Sequence, residues 1–346
     1  MRTGVKYIGV FMAESDVPSI MNQNTALSEV CLEVKNLKVL FHTPRGILRA
    51  VDDVSFTLSR GEILGLVGES GCGKTMTALS IMNLIPFPGK ISGGKVLFMD
   101  KNLLDLTQDE MRLIRGQRIS MVLQDPLGSF NPVYSIGNQL SEVVRKEKAR
   151  KERYGKVVHA LKQVRISNAE DRFHSYSFEL SGGMNQRCAI AMALLPAPEI
   201  IIADEPTTAL DVTIQLQVLA LLKELNKSGR TAMIIITHDF GVVAVICTKV
   251  VVMYSGRIME SASTFTILKS PAHPYTKSLL ASIPRIGGSK ELHAIPGQPG
   301  ASLDSVQGCL FASRCESVSP ICREQTPPMK EVEKNHWVSC WKIESD

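Results

Sequence analysis

The stretch Gly68–Thr75 reads GESGCGKT, a glycine-rich octet ending in Gly-Lys-Thr. A short apolar run, EILGLV, leads into it, and the amphipathic pattern TMTALSIMNLI follows. A strand, a loop and a helix in that order suit the capture of phosphate. Glycines let successive backbone N–H groups curl around phosphate oxygens, and the helix N-terminus adds partial positive charge. Gly68, Glu69, Ser70, Gly71, Cys72 and Gly73 are therefore candidate cradle residues. Lys74 would reach the β- and γ-phosphates of a nucleotide, and the Thr75 hydroxyl would bind Mg²⁺. Cys72 occupies a variable position of this loop and reads as a passive small residue.

Two further apolar runs end in charge. IIIADEP stops abruptly at Asp204 and Glu205, and AMIIITHD stops at His238 and Asp239. Buried parallel strands bring such ends to the carboxyl edge of a sheet, where ligands of these folds bind. There Asp204 would hold Mg²⁺ through water, and Glu205 would polarise an attacking water. Two adjacent carboxylates alone suit a solvated strand end equally well. The arrival of His238 at the same edge favours a site.

The elements that must position these groups form an α/β pattern. LEVKNLKVLF and AVDDVSFTL alternate as half-buried antiparallel strands do. VVVMYSGRIME is another buried run, and TIQLQVLALLKELNKSG has helical periodicity. From about Asp125 to Ala193 charge and helical spacing dominate, which reads as an inserted helical subdomain. After Ser261 the texture turns Pro-, Gly- and Ser-rich, in SPAHPYTKSLLASIP, AIPGQPGASL and EQTPPMKE, which points to an accessory domain. The expected organisation is a flexible extension over 1–29, a nucleotide-binding domain over 30–261 with its helical subdomain at about 125–193, and the accessory domain over 262–346.

The motif LSGGMNQR, Leu180–Arg187, lies between the two nucleotide half-sites. Together with Gln124 in MVLQDP, ALD at 209–211 and His238, it makes the chain resemble the ATP-binding subunits of ABC transporters. A narrower resemblance, carried by QDPLGSFNP, ADEPTTALDVTIQ, HPYTKSLLASIP and the cysteine-rich tail, is to those of dipeptide, oligopeptide and nickel importers. The resemblance implies an ABC-type P-loop NTPase: a RecA-like parallel sheet core, an antiparallel β subdomain, an inserted helical subdomain and a small C-terminal domain. It implies a composite ATP site in which Ser181, Gly182 and Gly183 of one cassette face the phosphates held by another. Gln124 would touch Mg²⁺, His238 the γ-phosphate, Asp211 would act across the interface, and Phe41 would stack on adenine. Asn185 departs from the family pattern. Ser181 also suits a plain helix cap. Implied partners are two membrane permease subunits, a second cassette and an extracytoplasmic substrate-binding protein, with the chain peripheral on the cytoplasmic face of the inner membrane. A soluble ABC ATPase acting on nucleic acid or ribosomes is the rival reading. Against it, the chain has a single GESGCGKT loop and no long heptad insertion.

Composition agrees with a globular protein. Of 346 residues 44% are hydrophobic, enough for a sizeable core, and 39 Lys+Arg against 34 Asp+Glu leave a net charge of +5. The densest basic stretch, Arg145–Lys156, interleaves Glu147 and Glu152 and reads as a solvated helix face. No window approaches the roughly 18 uninterrupted apolar residues of a membrane span. The first 28 residues read as an extension without a clear cleavage site. A cytosolic compartment keeps thiols reduced.

Four of the eight cysteines, Cys309, Cys315, Cys322 and Cys340, crowd the tail with five, six and seventeen residues between them. That spacing matches neither a zinc ribbon nor a ferredoxin run. On spacing alone a zinc site, an iron–sulfur cluster and unligated thiols stand level. The family resemblance implies a [4Fe–4S] cluster, with zinc as the alternative. The other four, Cys31, Cys72, Cys188 and Cys247, are scattered and read as free buried thiols.

Overall fold

The computed structural model describes residues 29–343 except 45, 148, 209, 228–230, 284–294, 296 and 298–306. The N-terminal extension up to residue 28, Ala209 and most of AIPGQPGASL lie outside the described residues. Strands β1 (Val30–Thr43) and β2 (Gly46–Ser59) pair antiparallel, with Leu32 opposite Leu58 and Val34 opposite Phe56. All four of these side chains are buried, so the alternation in the sequence marks a real inner face. Next come β3 (Ile63–Val67), buried at every position, and α1 (Lys74–Ile81). Strands β4 (Gly89–Phe98) and β5 (Lys101–Asn102) complete a four-stranded sheet of order β2-β1-β4-β5. Neither of these strands was expected, because Gly and Lys interrupt the alternation of GKISGGKVLF.

Helix α2 (Gln108–Ile114) is held by a capping box between Thr107 and Glu110, and β6 (Ile119–Val122) follows. The helical region then comprises α3 (Ile136–Val143), α4 (Arg150–Gln163), α5 (Ala169–Arg172) and α6 (Gly182–Leu194). Its core is apolar: Ile136, Leu140, Val157, Leu161 and Phe173 are buried together. On its outer side the Lys156 ammonium pairs with Glu147.

Strand β7 (Ile200–Asp204), α7 (Val212–Asn226), β8 (Ala232–Thr237), α8 (Phe240–Ile246), β9 (Lys249–Tyr254) and β10 (Arg257–Ser263) finish the cassette. Strands β6, β7, β8, β3 and β9 are parallel neighbours, and each is buried along nearly its whole length. The antiparallel sheet is fastened to this core where Arg257 donates twice to Asp52 Oδ2, at 2.8 and 2.6 Å. Among the described residues no helix is long and apolar enough to cross a membrane.

The C-terminal region adds α9 (Thr264–Lys269), α10 (Pro274–Ala281), α11 (Pro320–Glu324), β11 (Lys330–Glu333) and β12 (His336–Val338). Its described residues pack against the cassette. Strand β12 pairs with β10, Glu260 opposite Val338 and Ser261 opposite Trp337, so the tail hairpin extends the large sheet to β11-β12-β10-β9-β3-β8-β7-β6. Phe311, Tyr275 and Leu280 join the hydrophobic core that holds β7, β8 and the helical region. The join is polar as well as apolar. Fully buried Glu260 accepts hydrogen bonds from the backbone N–H of Ala272 at 2.7 Å and of His273 at 3.0 Å, and His336 Nε2 lies 2.8 Å from its carboxylate. A carboxylate with three partners can sit in a core at tolerable cost.

Candidate active site

Gly68–Gly73 turns between β3 and α1 as the sequence predicts. Two of its glycines are obligatory. Gly73 has φ 102, and a Cβ there would fall 2.3 Å from the Ala50 carbonyl oxygen. A Cβ on Gly68 would fall 2.2 Å from the Met253 carbonyl oxygen. The loop is thus wedged between β2 and the end of β9. Lys74 lies buried within it, donating from Nζ to the carbonyls of Gly68 at 2.7 Å and Glu69 at 2.8 Å. Cys72 is buried too, and burial pushes its thiol pKa up, which leaves it an inert spacer.

The loop floors a pocket of about 390 Å³. Ser70, Gly71, Gly73, Lys74 and Thr75 line one side, Gln124 and Glu205 the other, and Phe41, Leu48 and Arg49 the mouth. Phe41 comes to this pocket from β1 as expected. Sequence reasoning missed Arg49 and the turn residues Ser255 and Gly256, which also line it. The only signal for the latter pair was their place between two buried runs.

Glu205 is the hub of the far wall. It leaves β7 at φ 47, a left-handed conformation uncommon for a residue with a long side chain. Its carboxylate accepts from Gln124 Nε2 at 3.1 Å and from the Thr208 hydroxyl at 2.7 Å, and His238 Nδ1 lies 3.0 Å from the other oxygen. Thr208 was not foreseen. Burial alone would raise the Glu205 pKa, but the Thr208 and His238 hydrogen bonds and the nearby charges outweigh it and hold the carboxyl below its ordinary value.

Asp204 is buried, and burial, aided by the Glu205 charge, raises its pKa against the Thr75 hydroxyl bond and the Lys74 charge. Its Oδ1 has no hydrogen-bond partner. A buried, unpaired carboxylate oxygen beside a hydroxyl is a ligand set that a hard divalent cation satisfies.

Ser181, Gly182, Gly183 and Asp211 do not line this pocket. The Ser181 hydroxyl accepts from Met184 N–H at 3.3 Å and caps α6, and Asp211 Oδ1 accepts from Ile214 N–H at 3.0 Å and caps α7. The two helix starts pack together, since a Cβ on Gly183 would lie 2.6 Å from the Ile214 side chain. Asn185, the departure from the family pattern, is buried and donates to the carbonyls of Ser177 at 2.9 Å and Leu180 at 3.4 Å, which fixes the turn before α6.

In the tail, Cys309, Cys315, Cys322 and Cys340 line one pocket with His273 and Phe311. Its free volume is about 10 Å³, room for one water-sized atom. Among the described residues no group of three or more His, Cys, Asp or Glu could hold a metal ion. The four thiols share one pocket, but this arrangement gives the expected iron–sulfur cluster no support. Burial pushes the Cys309 thiol up to about 11 and also raises Cys315 and Cys340. The other four cysteines are free and buried, as expected.

The pattern of the ABC transporter family matches residues 51–208, and that of the oligopeptide/dipeptide transporter C-terminal region matches residues 259–322. Over 320 residues the chain is 46% identical to the oligopeptide transport ATP-binding protein OppD of Bacillus subtilis, covering 91% of this chain and 89% of that one. The chain belongs to the ABC transporter ATPases. OppD of Escherichia coli is 44% identical over 94% of this chain and 96% of its own. A probable peptide ABC transporter ATP-binding protein of Sinorhizobium fredii is 45% identical over 92% and 97%. Among solved structures, a dimeric ATP-binding cassette, MJ0796, bound to ADP and Pi, superposes with a TM-score of 0.61 at 27% identity, covering 67% of this chain and 98% of that one. The ABC cassette core is thus shared with that structure over about two thirds of this chain.

Held below its ordinary pKa, Glu205 stabilises the folded ATPase at neutral pH, and that contribution is lost as pH falls through its folded value. Thr208→Ala removes one of the bonds that keep it ionised. The Glu205 carboxyl titration, followed by ¹³C chemical shift, is expected to move to higher pH in this variant. An unmoved titration contradicts the hydrogen-bond account.

Proposed function

We propose that this chain is the ATP-hydrolysing subunit of an importer of peptides or related small solutes. It works at the cytoplasmic face of the inner membrane, peripherally bound to two transmembrane permease subunits. A second cassette and an extracytoplasmic substrate-binding protein complete the assembly. The observation that carries the proposal is Glu205, bonded to Gln124, Thr208 and His238 across a pocket from Lys74 and Thr75. The relatives' names, which specify oligopeptide and peptide transport, and the matched C-terminal region supply the substrate class.

In this reading the Gly68–Gly73 backbone and Lys74 bind the β- and γ-phosphates, and Phe41 flanks the base. Thr75, Asp204 and Gln124 hold Mg²⁺, which when bound neutralises phosphate charge. Glu205 takes a proton from the attacking water, and His238 meets the γ-phosphate. Hydrolysis then rests on positioning and on charge stabilisation in the transition state. Ser181, Gly182 and Gly183 serve the nucleotide of the opposing cassette, where the start of α6 offers N–H groups and dipole to phosphate. Asp211, beside them, acts across the same interface. The assembled dimeric cassette among the structural neighbours supports this pairing.

Glu205→Gln removes the base and keeps the shape. Hydrolysis is expected to fall by about 10²–10³-fold, while ATP binding persists. Near-normal turnover contradicts the role given to Glu205.

The tail forms the second part of the proposal: Cys309, Cys315, Cys322 and Cys340 hold a [4Fe–4S] cluster, with zinc as the alternative. Four soft thiols around one pocket are a fitting donor set, and a metal crosslink offsets the thin core of a Pro-rich segment. Iron and sulfide in anaerobically purified protein are expected. Colourless, metal-free protein with four titratable tail thiols overturns this part.

A further inference from the structure

Glu69, the second residue of the phosphate loop, has all of its polar groups engaged, and two of its partners come from the C-terminal region. Its carbonyl accepts from Lys74 Nζ at 2.8 Å, and its N–H donates to the Tyr275 hydroxyl at 3.0 Å. Its carboxylate accepts a two-pronged bond from Arg314, from Nη1 at 2.7 Å and Nη2 at 2.9 Å. Tyr275 lies on α10, and Arg314 immediately precedes Cys315 in the tail. They are 206 and 245 residues from Glu69 in sequence.

These partners are rigidly seated. The Arg314 side chain is only 5% exposed, and its guanidinium lies 5.7 Å from the centre of the Tyr254 ring. Tyr254, Tyr275 and Phe311 pack as a triad with ring centres 4.8 to 5.4 Å apart. Tyr254 closes β9, whose Met253 carbonyl already abuts Gly68. The C-terminal region therefore grips the loop on the side away from the pocket.

We propose that Arg314 and Tyr275 are positioning residues for ATP: acting through Glu69, they fix the peptide that orients Lys74 and neutralise a carboxylate that would otherwise repel the triphosphate. A planar guanidinium fork suits this task, because it fixes both oxygens of the carboxylate while cancelling its charge. The inference rests on the ATPase reading and gives the C-terminal region a share in nucleotide affinity. Neither residue touches the nucleotide pocket, so the effect belongs in ATP affinity and not in the chemical step.

The test is steady-state MgATP hydrolysis by the full-length chain, with equilibrium binding of a fluorescent ATP analogue alongside. Arg314→Met is expected to raise KM and the analogue's Kd about tenfold, with kcat changed less than about twofold. Arg314→Lys restores charge without the fork and is expected to recover most of the affinity. Adding Glu69→Gln to Arg314→Met removes the repelling charge and is expected to return KM to within about threefold of the wild type. Tyr275→Phe removes only a hydroxyl, and it carries the test if Arg314→Met does not fold; its KM is expected to rise about threefold. A merely structural role would lower the active fraction and leave KM unchanged, and that result in Arg314→Met or Tyr275→Phe overturns the inference. So does a double variant no better than Arg314→Met. Failure of the wild-type chain to bind or hydrolyse ATP overturns the ATPase reading, and this inference with it.

Discussion

The parallel register of β7, β8 and β3 is the constraint on which the site depends. Asp204 lies opposite Ile236, and Val67 lies opposite Thr237, so the ends of the three strands stand side by side. From those ends the chain must continue as Gly68, Glu205 and His238. A slip of one residue would turn Asp204 away from Thr75 and carry Glu205 out of reach of His238. The strands resist such a slip because they are buried on both faces, so any shift exposes Ile or Val or buries a charge. The geometry of the candidate site is thus inherited from hydrophobic packing. The polar contacts trim it.

Around that edge the chain adds restraints in order of sequence distance. The antiparallel sheet contributes Phe41, Arg49 and the Ala50 carbonyl against Gly73, and the Asp52–Arg257 pair fastens it. The helical region contributes Gln124 at its entrance and the capped start of α6 at its far end. The tail comes last, joined edge to edge through β10 and β12 and held by buried Glu260. An appended domain would meet the cassette through a linker and a modest interface. Here the sheet runs through the boundary, and the same core serves both parts.

Legibility followed the range of the interaction. The phosphate loop, the charged strand ends and the cap at Ser181 obey local rules, and each could be read from a few neighbouring residues. The gathering of the tail cysteines at one pocket was legible from their crowding. Strands β4, β11 and β12 were missed because they are short or interrupted by Gly and Lys, and neighbours supply their stability. Thr208 hid within ADEPTTALD, where nothing marks it as a carboxylate partner. Tyr275 and Arg314 were invisible as site residues, since their contacts with Glu69 span most of the chain. The weak signal was a tyrosine and an arginine in a Pro-rich stretch.

The proposed function has ATP hydrolysed at this sheet edge drive solute through a membrane assembly. The most direct measurement is uptake of a labelled peptide library into vesicles holding this chain with its co-purified membrane subunits and binding protein. Accumulation is expected that requires both ATP and this chain and stops with a non-hydrolysable analogue. Accumulation that proceeds with the analogue, or without this chain, would contradict it.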